Sequence, residues 1–133
     1  MSRDVVSLPD DLDLPRALGA PASTAVRGNG FVFTMGYMAL DPETNDVSPG
    51  SIEHETRLTM DGLARILEAS GSSLDDVVKV HVFLSDIERD FEGMNRTYAR
   101  YFSPPYPARR TVQAKLVRGL KVEIELIATC RAR

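Results

Sequence analysis

The chain has one cysteine, Cys130, and two histidines, His54 and His81, among 133 residues. A single thiol closes no intrachain disulfide, and no cysteine pair stands at zinc-ligand spacing. His54 falls on an expected helix and His81 on an expected strand, without the spacing of shared metal ligands, so both are expected to be structural or surface residues. No apolar run approaches the roughly 20 residues of a membrane span. Residues 1–9 lack the apolar core of a secretory signal, and a cytoplasmic protein without membrane association is expected. There is no Gly-x-Ser-x-Gly elbow, phosphate-binding loop or dinucleotide fingerprint. Gly28-Asn29-Gly30 is too small and too hairpin-like to cradle a phosphate.

What is present is an ordinary core and an uneven charge. The composition is 43% hydrophobic with net charge −3, which suits one globular domain spanning residues 1–133. From Arg96 onward there are nine of the sixteen Lys and Arg but two of the nineteen acids. That asymmetry fits either a basic binding surface or complementary charge between neighbouring elements or subunits. The acidic total and the absence of a recognition motif make nucleic acid an unlikely partner.

Residues 1–21 carry three prolines and read as an irregular lead-in. Ser23–Arg27 and Phe31–Gly36 read as strands joined at Gly28-Asn29-Gly30, whose residues tolerate positive φ. Asp41–Asp46 is a turn or loop. Ser51 is placed to cap a helix whose buried stripe is Thr56, Thr59, Met60, Leu63, Ile66, Leu67 and Ser70, with Gly71 ending it. Val77–Leu84 is β-branched and apolar, a strand expected to be buried on much of both faces. Ile87, Phe91, Met94, Tyr98, Tyr101 and Phe102 mark a second amphipathic helix, which Ser103-Pro104-Pro105 stops. Two more strands follow, for an order β-β-α-β-α-β-β. Two helices cover one face of such a sheet, so the other face calls for another copy of the chain.

The last two strands carry ionisable residues at alternate positions: Arg109, Thr111 and Gln113 on one, Glu123 and Glu125 on the other. If they close a hairpin centred near Val117, Thr111 lies opposite Glu123 and Arg109 opposite Glu125. Arg109 has two readings at this point, a bidentate site for a ligand carboxylate or an internal salt bridge to Glu123 or Glu125. Cys130 has no neighbour but Arg131 to lower its pKa and reads as non-catalytic.

Several pieces, in order, resemble one family. They are Glu55-Thr56-Arg57, the run Ile66–Val80, Val82–Asp86, Met94–Phe102, Pro107-Ala108-Arg109 and Val122–Ala128. After about Pro21 the chain resembles the RidA (YjgF, or L-PSP endoribonuclease-like) proteins. The resemblance implies a chorismate-mutase-like α+β fold, a mixed sheet with two helices on one face, and a homotrimer with sites between subunits. It implies hydrolysis of reactive enamines and imines bearing a carboxylate, giving a 2-oxo acid and ammonia with no cofactor and no metal. Arg109 falls on the substrate-carboxylate arginine and Glu123 on the active-site glutamate. Gly36 falls at the end of the pocket strand, and Asn95 on the helix asparagine, a supporting residue together with Tyr98. Three positions depart from the family: Ala22 stands for its tyrosine, Met35 for a serine and Thr111 for a cysteine. Together they imply a substrate bulkier than 2-aminoacrylate. A trimer that binds small carboxylates without turnover and, less favoured, an endoribonuclease are the alternatives.

Overall fold

A computed structural model describes residues 2–131. Its centre is a six-stranded mixed sheet built from the short β1 (Asp4–Val5), β2 (Ala25–Gly28), β3 (Phe31–Thr34), β6 (Val77–Leu84), β7 (Ala108–Gln113) and β8 (Val122–Thr129). A separate two-stranded ribbon pairs β4 (Leu40–Asp41) with β5 (Asp46–Val47). The helices are α1 (Leu14–Leu18), α2 (Ile52–Ala69) and α3 (Ile87–Tyr98). The architecture is α+β, as expected, with a third, short helix. The lead-in is less irregular than its prolines suggest: β1 pairs with β2, and Asp13 caps α1 by accepting from the Arg16 N–H. Pro15 in the first helical turn loses no hydrogen bond that a helix would have made.

Local chemistry explains the elements. Asn29 and Gly30 both take positive φ, 51° and 79°, which gives the twist that a tight β2–β3 hairpin needs. The Ser51 side chain accepts from the His54 N–H at the start of α2, and Gly71 leaves the helix at φ 78°. Met60, Leu63, Ile66 and Leu67 of the α2 stripe are fully buried, each contributing about 1.5–3 kcal/mol. On α3, Met94 and Tyr98 are buried while Phe91 stays 39% exposed.

The sheet order is β1-β2-β3-β8-β6-β7. Strand β6 pairs parallel with β7 and antiparallel with β8. The last two strands therefore form no hairpin; β6 lies between them. The connection 114–121 is longer than tight hairpin loops of about 2–5 residues, so it steps across the end of β6.

Register decides which side chains share a face. Val80 aligns with Arg109 and Leu126, Val82 with Thr111 and Ile124, and Leu84 with Gln113 and Val122. Val80, Val82, Leu84, Val122, Ile124 and Leu126 form the core beneath the helices. Glu123 aligns with Phe83, and Glu125 with His81, on the opposite face. Burial of β6 is thus complete on the helix side only. The other face presents a row from Val5 through Val26 and Phe33 to Ile127, with Val5 50% and Phe33 44% exposed.

One close contact between layers is testable. A Cβ on Gly62 of α2 would lie 2.5 Å from Tyr37 Cε2. In an exposed helix Gly→Ala stabilises by about 1 kcal/mol; here overpacking against a buried ring outweighs that. Gly62→Ala is expected to lower stability by about 1–3 kcal/mol in urea unfolding. A midpoint equal to or above that of the parent chain would refute the contact.

Candidate active site

The expected site residues fall into two groups on opposite faces of the sheet. The first surrounds Arg109 on the edge strand β7. Its guanidinium carbon lies 4.9 Å from the Tyr98 ring centroid and 5.7 Å from that of Phe91. Arg109 forms no salt bridge among the described residues, so the internal pairing with Glu123 or Glu125 is not realised. Both acids project from the other face, as their alignment with Phe83 and His81 requires. A cavity of about 350 Å³ opens beside the arginine, lined by Asn95, Tyr98, Ala99, Tyr106 and Pro107. Residues 95 and 98 sit one helical turn apart and so reach the same wall.

This cavity has few polar groups, and two of them lack partners. Asn95 Oδ1 and the Tyr98 hydroxyl are buried without a hydrogen bond among the described residues. Burial raises the Tyr98 pKa, and the nearby Arg109 charge offsets this only in part. That charge acts across the ring face and makes no hydrogen bond of full geometry with the phenol. An unpaired guanidinium over an aromatic ring in an apolar cavity suits one class of ligand, a small anion with a flat carboxylate. Thr111 projects from the same face as Arg109, two residues further along β7, and is half-buried.

The second group lies on the open face. There Tyr37 exchanges two backbone hydrogen bonds with Ile124, at 2.8 and 2.9 Å. This brings the chain after β3 against β8 and seats Gly36 on Glu123. Any Cβ at Gly36 would collide with the Glu123 carboxylate. Thr34 eases the break in the β3–β8 ladder: its hydroxyl accepts from the Leu126 N–H and donates to the Met35 carbonyl. Met35 is half-buried beside it. Burial first, and the Glu125 charge second, raise the Glu123 pKa above the ordinary carboxylate value.

Ala22 joins neither group. It is exposed and lines a cleft of about 230 Å³ with Val5, Val6, Leu8, Pro9 and Asp13. Of the other residues weighed from sequence, His54 ties down a loop through Nε2 contacts with Ser48 Oγ and O, at 2.9 and 3.1 Å. His81 is half-buried on the open face and Cys130 half-buried near the end of β8. Among the described residues no three His, Cys, Asp or Glu side chains are grouped to hold a metal. No described helix is long and apolar enough to cross a membrane. Sequence reasoning did not find the ring contacts of Arg109 with Phe91 and Tyr98. The signal was available: both aromatics lie on the α3 stripe that must face β7.

The chain is similar to known proteins in sequence and fold. The profile of the endoribonuclease L-PSP family matches residues 15–130. A RutC family protein of Pyrococcus horikoshii is 41% identical over 86% of this chain and 90% of its own length. The mouse protein named 2-iminobutanoate/2-iminopropanoate deaminase is 39% identical, over 86% of this chain and 84% of its own. The crystal structure of RidA from an Antarctic Psychrobacter superposes with a TM-score of 0.82 at 35% identity, covering 93% and 98% of the two chains.

The raised Glu123 pKa has a consequence for stability. A carboxyl whose pKa is raised by folding favours the fold when protonated. That contribution is fully present below the ordinary Glu pKa and is lost as pH rises through the folded value. Glu123→Gln is therefore expected to raise the unfolding temperature at pH 8, with the gain shrinking to nothing near pH 4. A gain independent of pH, or a loss at pH 8, would contradict the burial of this charge.

Proposed function

The chain belongs to the endoribonuclease L-PSP family, and from this we propose that it is a hydrolytic deaminase of imines and enamines that carry a carboxylate. The observation that carries the reading is Arg109, a guanidinium at the mouth of an apolar cavity with no acidic partner among the described residues. The mouse relative's name states the activity for that protein. The cavity and the substitutions Ala22, Met35 and Thr111 favour a substrate larger than 2-aminoacrylate.

The chemistry needs few groups. An enamine tautomerises to its imine. Arg109 holds the carboxylate, which fixes the imine carbon and removes orientational freedom. Glu123 takes a proton from water as the oxygen attacks that carbon and returns it to the nitrogen, giving a carbinolamine. The carbinolamine hydroxyl proton then passes to the nitrogen through the same carboxylate as the C–N bond breaks, releasing ammonia and the 2-oxo acid. A base works best when its pKa lies near the working pH, and the upward shift of Glu123 acts in that direction.

Arg109 and Glu123 of one chain face opposite sides of the sheet, so one copy does not assemble this pair. We infer a homotrimer in which Arg109, Asn95 and Tyr98 of one subunit meet Glu123 and Gly36 of the next. The apolar row on the open face supports self-association, since exposed patches of this kind mark interfaces.

Mixing subunits tests both ideas. Against oxidase-generated imines, Arg109→Ala and Glu123→Ala are each expected to lose about two orders of magnitude in activity. In a ring of three, a mixed trimer restores one site, so equal co-expression should recover about a quarter of parental activity. No recovery, with mixed trimers verified by native mass spectrometry, would refute the shared site. An inactive parent chain that still binds benzoate through Arg109 would refute the deaminase reading.

A further inference from the structure

The residue just before β8 is held by a carboxylate that the chemistry above does not use. Glu55, in the first turn of α2, is fully buried. Its Oε1 accepts the Lys121 backbone N–H at 2.7 Å, and its Oε2 accepts the Gly50 N–H at 3.1 Å. The Lys121 side chain returns to the same point: Nζ donates to the Gly50 carbonyl at 2.6 Å and lies 3.7 Å from Glu55 Oε2. The Lys121 carbonyl accepts from the Ser85 N–H at 3.0 Å. Gly50 has no room for a side chain, because a Cβ would lie 2.5 Å from His54 Cδ2. One buried carboxylate thus joins α2, the loop before it and the first turn into β8.

Lys121 immediately precedes β8 and stands two residues before Glu123, so the position of its backbone sets where the strand begins. A displacement at Lys121 therefore passes along the strand to Glu123. On the far side the Tyr37–Ile124 backbone pair holds Ile124, and Gly36 abuts the carboxylate. Glu123 is bracketed by these two anchors. The Tyr37 anchor is made of backbone alone, whereas the Glu55 anchor is a side chain. Its removal leaves two loop N–H groups without their buried acceptor.

We propose that Glu55 is a positioning residue that, through Lys121, sets the start of β8 and so aims the Glu123 carboxylate. The inference rests on the role given to Glu123 above. Arg109 holds the substrate carboxylate from a different strand, so misaiming Glu123 damages the chemical step and spares binding. A misplacement of about 1 Å can cost on the order of 100-fold in rate.

The test compares the parent chain with Glu55→Gln and Lys121→Met. Gln keeps the size and one acceptor but turns an NH2 group towards a donor. Met keeps the stem and the backbone N–H but removes the ammonium. The substrate is the imine released from 2-aminobutyrate by an amino-acid oxidase. The second readout is the pH titration of the Glu123 side-chain carboxyl carbon by 13C NMR. For Glu55→Gln the expectation is a fall in kcat of about tenfold or more with KM within about twofold. Its Glu123 titration should move down towards the ordinary range as water gains access. Lys121→Met should show the same pattern, more weakly, and it carries the test if Glu55→Gln does not fold. Parental kcat and an unmoved Glu123 titration would overturn the proposal, as would a loss that only tracks the fraction of folded protein. If the parent hydrolyses no imine, the deaminase reading fails by itself, and the NMR titration alone then decides whether Glu55 positions Glu123.

Discussion

Strand β8 is the constraint on which the other parts depend. It is hydrogen-bonded to β3 on one edge and to β6 on the other. Val122, Ile124, Leu126 and Ala128 enter the core beneath the helices, and Glu123, Glu125 and Ile127 take the other side. A slip of one residue would exchange the two sets. It would bury two carboxylates and expose four apolar groups, at many times the few kcal/mol by which a small domain is stable. The side from which Glu123 projects is therefore decided by the packing of its neighbours, before any chemistry is considered.

The same alternation separates the charges. Arg109 stands on the helix side of the edge strand and Glu123 on the open side, so within one copy they cannot neutralise each other. Each pays for its position differently. Arg109 lies over Tyr98 and Phe91, where the ring faces offset part of the loss of water. Glu123 meets no cation in a hydrogen bond or salt bridge among those described, and burial beside Glu125 raises its pKa. Groups left unsatisfied in this way weaken the isolated fold, and they are the groups a ligand or a second subunit can satisfy.

Much of the fold was legible in the sequence because it is local. The spacing of Met60, Leu63, Ile66 and Leu67 defined α2, Ser51 and Gly71 its ends, and Asn29-Gly30 the β2–β3 turn. The pairing of the last two strands was not legible. Two alternating strands separated by a loop look alike whether they touch or have a third strand between them. The useful clues were the length of 114–121 and the apolar run Val77–Leu84, which needs hydrogen-bonded neighbours on both edges. Arg109 reads from the sequence as an arginine in need of a partner, and among the described residues it lies over Tyr98 and Phe91 and forms no salt bridge. The partners assigned to it by a hairpin were wrong, because that register put Glu125 on its face.

Two of the three departures from the family pattern, Met35 and Thr111, sit beside the charged residues, and Ala22 lies apart from both groups. Thr111 lies two residues from Arg109, about 7 Å along the strand, and puts a hydroxyl on the same face of β7. Met35 adjoins Gly36, whose missing side chain makes room for Glu123. Ala22 lines a cleft with Val5, Val6 and Pro9, where a larger ring would occupy space. Arg109, Tyr98 and Asn95 remain together on the helix side of the sheet, and Glu123 and Gly36 on the open side. Under the proposed function, substitutions of this kind alter volume and polarity around the ligand while leaving Arg109 and Glu123 unchanged. A change of substrate size, with the reaction kept, is the functional difference that this distribution favours.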